Sequence, residues 1–277
     1  MTTKRMGEEG LRWFVGTVED INDPEKLGRV RVRVINEHDD PSIQSEDLNW
    51  ATILTPTTSA SYQQIGRSPT GLLVGSHVFG FFLDGHEKQL PIIWGSYAKM
   101  PDGTQNTNDV PALAREINNL NIPQIGPEPP SAYNAKYPYN HVWQTQSGHI
   151  IEVDDTPAQE RIRVYHRSGS YIEINNAGRT VQKTVDSQFN IVVVDKTEYV
   201  GGSLNLQVMG SANVSIQGDV NMTVGGKVTA SASEWDITGN MNVTGNITAS
   251  GDVVGNNISL DNHIHSDPQG GVTGPPQ

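Results

Sequence analysis

The chain has no cysteine among its 277 residues. That excludes disulfides, thiolate zinc sites and thiol nucleophiles. It has no apolar run long enough to cross a bilayer as a helix. The opening residues, MTTKRMGEEGLRW, lack the apolar stretch of a secretory signal. The expectation is a soluble protein made in a cytoplasm. Basic residues are scarce: 19 Lys and Arg stand against 31 Asp and Glu, a net charge of −12. Such a surface repels a phosphate backbone, so nucleic acid is not an expected partner. Apolar residues make up only 35% of the chain, and there are 28 glycines. One ordinary core over the whole length does not fit this composition; several small units, or a core shared between chains, does.

What is present first is a series of short strands. WFVGTVEDI (Trp13–Ile21) leads into a turn, NDPEKLG, and then RVRVRVI (Arg29–Ile35), where charge and valine alternate strictly. A period of two means one buried and one wet face. WATILTP (Trp50–Pro56), GSHVFGFFL (Gly75–Leu83) and LPIIWGSY (Leu90–Tyr97) continue the series, with DGHEK (Asp84–Lys88) as a hairpin tip. Five strands over residues 11–98, after an N-terminal arm (1–10), predict a small barrel of the OB type. Residues 99–140 are rich in Pro and Asn and read as a linker, with one short helix at Ala112–Leu120. Strands resume in a neck, residues 141–199: Val142–Asp155, Glu160–Gly169 and Ser170–Gly178.

From residue 200 the chain repeats. Val200-x-Gly202, Val208-x-Gly210, Ile216-x-Gly218 and Val224-x-Gly226 recur every eight residues. Even positions such as Leu204, Leu206, Val214, Val220, Met222 and Val228 are apolar, and the odd ones are mostly Asn, Ser, Gln and Thr. The phase changes near Ser233–Asp236. The step then shortens to six at Ile237-x-Gly239, Val243-x-Gly245 and Ala249-x-Gly251. Each glycine marks a bend, so residues 200–255 predict a tapering shaft. A single chain cannot bury this stripe, because it has no facing helix or sheet; the stripe must meet copies of itself. Three chains wound about one axis are the economical arrangement, since every strand edge is then covered. The expected fold class is all-β: an OB barrel followed by an intertwined, self-associating β-helix or β-prism; that it is homotrimeric and ends in a metal-bound tip comes chiefly from a family resemblance.

No catalytic constellation is found. There is no G-x-S-x-G and no H-E-x-x-H, and GGKVT (Gly225–Thr229) lacks the spacing of a phosphate loop. Asp154 and Asp155 open a turn and read as backbone caps. His149 and His166 lie in strand patterns and read as structural. The five Asn-x-Ser/Thr sequons at Asn213, Asn221, Asn242, Asn246 and Asn257 are what a Val/Asn/Thr-rich repeat produces by composition. The chain is not expected to be an enzyme.

The last segment, residues 256–277, carries His263 and His265 in DNHIHSDPQGG. In an extended strand, residues i and i+2 point the same way. Two imidazoles are too few for a firm site, but three chains about an axis offer six. Six nitrogen ligands suit iron(II), nickel or cobalt better than zinc. Ile258, Leu260 and Ile264 are even-numbered, whereas the preceding hexads bury odd positions. An unbroken strand with Ile258 and Leu260 inside would turn both histidines outward. A turn at Asn256–Asn257 or Asp261–Asn262 would reset the phase.

These parts together resemble the central spike proteins of contractile phage tails, and the related valine-glycine repeat proteins of type VI secretion. The resemblance rests on DPEKLGRVRVRV (Asp23–Val34), LPIIWGS (Leu90–Ser96), SGHIIEVDDTPAQERIRVYHRSGSYIEI (Ser147–Ile174), the octads and the terminal H-x-H. It implies a homotrimer in the baseplate of a virion, assembled in the host cytoplasm. It further implies a hub protein at the OB end and the host outer membrane at the tip. His263 and His265 of three chains would hold one iron ion. The larger phage spikes carry a lysozyme domain, and no segment here resembles one. Three other readings remain open: a bacterial type VI or other contractile-injection spike, a β-helical polysaccharide depolymerase, and a receptor-binding tail fibre. The depolymerase would need paired acids in a groove, and the repeat offers none.

Overall fold

The computed structural model describes residues 11–63, 65–67, 70–98 and 128–275. The N-terminal arm, the helix expected at Ala112–Leu120 and most of the 99–140 linker lie outside the described residues. Among those described, regular structure is all β apart from one 3-10 turn, Ser45–Asp47.

Five strands form a closed barrel: β1 (Arg12–Asp20), β2 (Val30–Val34), β3 (Trp50–Ile53), β4 (His77–Phe82) and β5 (Pro91–Tyr97). Their order is β1-β2-β3-β5-β4, antiparallel except for the β3–β5 pair. The alternating RVRVRV run does what its period dictates. Val30, Val32 and Val34 face the core with Phe14, Val18, Ala51, Val78, Phe82 and Ile93. Each such fully buried side chain stabilises by about 1.5–3 kcal/mol. The arginines between them lie on the outside, paired rather than free: Arg33 Nε donates to Glu19 at 2.5 Å, and Arg31 stacks over Trp50 at 4.6 Å. Gly16 and Gly80 allow the strands to close. A Cβ on Gly80 would lie 2.2 Å from the Ile92 carbonyl oxygen, and one on Gly16 would lie 2.6 Å from that of Arg33.

Asp23 organises the β1–β2 loop. Its carboxylate accepts from the backbone N–H of Glu25, Leu27 and Arg29, at 3.1, 2.9 and 3.2 Å, and from Nε and Nη2 of Arg29 at 3.1 and 2.7 Å. These bonds let the loop turn through Lys26 (φ 58°) and Gly28 (φ 77°).

A second sheet forms a simple meander, β6 (Asn140–Gln144), β7 (Ile150–Asp154), β8 (Arg161–Tyr165), β9 (Tyr171–Asn175) and β10 (Thr180–Lys183). The strand expected over Val142–Asp155 is in fact two. The chain turns at Ser147–Gly148, where Gly148 has φ 92° and its N–H donates to the Thr145 carbonyl at 3.0 Å. The Ser-Gly pair inside an apparently continuous run was the local signal. β10 was not expected.

Residues 197–277 form a separate compact unit. From 184 to 253 no strand forms within the chain. The backbone bends at Gly202, Gly210, Gly218 and Gly226, and then at the six-residue steps of Gly239, Gly245 and Gly251. The apolar stripe is uncovered: Leu206 and Val214 are each 84% exposed. Strand pairing returns only at the end, in a hairpin of β11 (Val254–Gly255) and β12 (Ile258–Ser259).

The Arg29 guanidinium holds the Asp23 carboxyl well below the usual carboxylate range; burial opposes it, and the three backbone N–H groups assist. A depressed folded value contributes stability that is present above the unfolded value, about 3.9, and is lost as pH falls through the folded one. Asp23→Asn should therefore lower the barrel's thermal midpoint by several degrees at neutral pH. Melting curves should show that deficit shrinking below about pH 4, as the wild type also loses the interaction.

Candidate functional site

The second sheet buries the face that sequence alternation would leave wet. Glu152, Asp154, Arg161, Arg163 and Glu173 are all 5% exposed or less. On the other face, Ile151, Val153, Ile162, Val164, Ile172 and Ile174 are 39–51% exposed. The register sets these six in two straight rows, Ile151–Val164–Ile172 and Val153–Ile162–Ile174. A grid of six β-branched side chains left this exposed among the described residues has the character of an interaction surface rather than of an ordinary solvent face.

The charged face is closed by residues 128–139, which cross it as a strap. Glu173 is the centre. It accepts from Ser131 Oγ at 3.0 Å and Ala132 N at 3.1 Å of the strap, and pairs with Arg161 at 3.2 Å. Arg161 also pairs with Glu152 at 2.7 Å and stacks on Tyr133 of the strap at 4.6 Å. Arg163 lies between Tyr165 and Tyr171, 5.1 and 4.8 Å from the ring centres, and 3.9 Å from Glu173. Burial pulls the Arg163 guanidinium below its ordinary value, with Glu173 opposing. Glu128 accepts from Tyr171 Oη at 2.6 Å and from Lys183 Nζ at 2.8 Å. Burial first, and Glu128 second, push the Tyr171 hydroxyl up to about 12. Sequence reasoning treated this strap as part of a linker. The only cue was that its residues are Glu, Ser and Tyr as well as Pro.

Asp154 behaves as the cap it was expected to be: Oδ1 accepts from Thr156 N at 3.0 Å and from Thr156 Oγ1 at 2.6 Å. Asp155 points elsewhere, 3.6 Å from His141. His149 and His166 are brought to 4.4 Å between ring centres. Nδ1 of His149 accepts from Arg167 N, and Nδ1 of His166 from Ser168 N. Both rings are used locally.

At the chain end, Asn256 and Asn257 take φ 50° and 63° and form the tight turn between β11 and β12. Two consecutive left-handed residues suit Asn, and they produce a hairpin turn. The strand is thus interrupted where a phase reset requires it. A second turn comes next, in which His263 N donates to the Ser259 carbonyl at 3.1 Å. His263 and His265 come together, with ring centres 5.1 Å apart and planes at 87°. Among the described residues no group of three or more His, Cys, Asp or Glu could hold a metal within one chain. The donor set nevertheless suits a shared metal. His263 Nδ1 lies 2.9 Å from the Ser259 carbonyl oxygen. A carbonyl only accepts, so Nδ1 carries the proton and Nε2 keeps its lone pair for a ligand bond.

The barrel has an aromatic outer surface on β1, β4 and β5. Trp13 packs on Phe79 at 5.9 Å, and Phe81 meets Trp94 edge-on at 6.4 Å. Trp13 and Trp94 are 66% and 61% exposed.

A family model described as the Gp5 N-terminal OB domain matches residues 33–163, from within β2 into β8. The chain is 30% identical over 272 residues to protein Gp5 of Vibrio phage KVP40, a match covering 74% of this chain and 65% of that protein. It is 48% identical over 84 residues to the pre-baseplate central spike protein Gp5 of Enterobacteria phage T4, covering 27% of this chain and 15% of that one. The chain therefore spans just under two thirds of the first relative and a small part of the second.

The charged layer generates a stability prediction. Glu173→Ala leaves Arg161 and Arg163 buried without their shared carboxylate, which typically costs about 3–5 kcal/mol. Denaturant unfolding of the variant should show a loss of that size, and limited proteolysis should cut first in the strap.

Proposed function

Because the chain is a Gp5-like protein with an OB barrel, homologous to the Gp5 proteins of phages KVP40 and T4, we propose that it is the central spike of a phage contractile-tail baseplate. In this reading it is a homotrimer. It stands in the virion, the OB end seats on a baseplate hub protein, and the tip punctures the host outer membrane when the sheath contracts. Its work is force transmission rather than turnover, so the chain acts as a structural protein and not as an enzyme.

The observation that carries the reading is apolar surface left over within one chain. The grid on β7–β9 and the stripe from Leu204 to Val228 are both uncovered. Both are satisfied if equivalent residues of other chains pack against them. Three chains wound together over residues 200–255 would convert unpaired, bending backbone into inter-chain ladders. Fraying would then be suppressed, because each strand is tied to two neighbours. The aromatic surface of Trp13, Phe79, Phe81 and Trp94 has the composition of a protein-docking site and suits the hub.

His263 and His265 of three chains would supply six imidazole nitrogens to one iron ion on the axis. The metal, when bound, would supply a cross-link between three chain ends. The same architecture serves a bacterial contractile-injection spike, and the terminal H-x-H favours the phage version.

In solution the mass should be that of three chains. Val164→Glu places a carboxylate at the centre of the apolar grid and should yield monomers or aggregates by light scattering. A wild-type monomer would overturn the shared-core reading. Metal analysis should find about one iron per three chains. The double variant His263→Ala/His265→Ala should lose it and remain trimeric; equal iron in both proteins would remove the histidines from the site.

A further inference from the structure

Beyond the histidine pair the chain is folded back on itself. We propose that Ser259 and Thr273 are positioning residues for the histidine pair, and that residues 266–273 form a tight return turn holding His265 rather than a loose tail. The inference rests on the reading of His263 and His265 as metal ligands.

Each histidine is held from a different side, His263 through ring and backbone and His265 through its backbone. The Ser259 carbonyl accepts both the backbone N–H of His263, at 3.1 Å, and its Nδ1–H, at 2.9 Å. One acceptor thus fixes the backbone turn and the ring tautomer together. Ser259 is itself anchored. Its residue pairs with Val254 in the hairpin, and its hydroxyl accepts from Asn262 N at 2.9 Å. Asp252 ties this turn to the preceding segment, accepting from Asp261 N at 3.2 Å.

His265 is gripped through its backbone. Its N–H donates to Thr273 Oγ1 at 3.0 Å, and its carbonyl accepts from Thr273 N at 2.8 Å. A tight return makes this possible. Asp267 N donates to the Gly271 carbonyl at 2.9 Å, and Ser266 bridges Val272. Asp267 Oδ1 accepts from Gln269 N at 2.7 Å and Gly271 N at 3.0 Å. Gly270, at φ 85°, permits the reversal.

A site assembled from several chains gains most from ligands that are already oriented, because ordering costs would otherwise multiply with each chain. Here the orientation is built within one chain. Partners that orient a metal-binding histidine typically contribute about 10–100-fold in metal affinity.

The test uses the full-length trimer. Metal affinity is measured by competition with a chelator, using iron(II) added to stripped protein. Thr273→Val removes the acceptor for His265 N, and Ser259→Ala removes the hydroxyl that caps the turn. Each should weaken binding about tenfold or more with the mass unchanged. Deletion of residues 268–277 should weaken it at least as much as Thr273→Val, and Thr273→Ser should restore it. Magic-angle-spinning NMR of selectively ¹⁵N-histidine-labelled, metal-free protein above pH 8 should find His263 protonated on Nδ1. Variants that bind as tightly as a metal-binding wild type would overturn the positioning roles alone, as would an Nε2–H tautomer at His263. A wild type that takes up no metal would overturn the ligand reading and this inference with it.

Discussion

The contact of Glu173 with Arg161, Ser131 and Ala132 decides which face of the neck sheet is closed. Charges taken out of water must be paired at close range or the sheet does not form. The strap over residues 128–139 completes that pairing with backbone N–H, hydroxyl and aromatic groups from the same chain. Once the charged face is covered, the apolar face has no partner among the described residues. In the proposed trimer, hydrophobic burial between chains would occur there without disturbing the ion pairs.

The shaft meets the same constraint along its length. Its side chains alternate like a strand's, its glycines bend it at intervals of eight and then six residues, and among the described residues its stripe is left exposed. Small aliphatics and repeated bends suit a narrow shared interior, where a bulky core would not fit. In the proposed trimer such an element would gain its order from neighbouring chains. The barrel differs: its core of valines and phenylalanines closes within one chain, with aromatics such as Trp13 and Trp94 among the side chains left outside.

The tip joins both strategies. Short hairpins and turns around Asn256, Ser259 and Asp267 are satisfied within the chain, through backbone and side-chain hydrogen bonds. The two imidazoles they present, 5.1 Å apart between ring centres, are too few for a metal site within one chain. In the proposed trimer the remaining ligands would come from the other copies.

The amino-acid sequence alone was enough for whatever depends on period and turn chemistry. The RVRVRV strand, the five barrel strands, the Asp-capped turn at Asp154–Thr156 and the bends at the octad glycines arise from spacing between near neighbours. The histidine pair was also legible, because H-x-H is a local pattern. The sidedness of the neck sheet was not. Alternation shows that two faces differ, yet which is buried depends on what packs there, and the strap lies at a sequence distance of about forty residues from Glu173. Nor could sequence show that the chain turns at both Asn256–Asn257 and Asp261–Asn262, or that Thr273 reaches back to His265. Those contacts are set by backbone geometry and by hydrogen bonds between separated residues. Only the tertiary structure decided them.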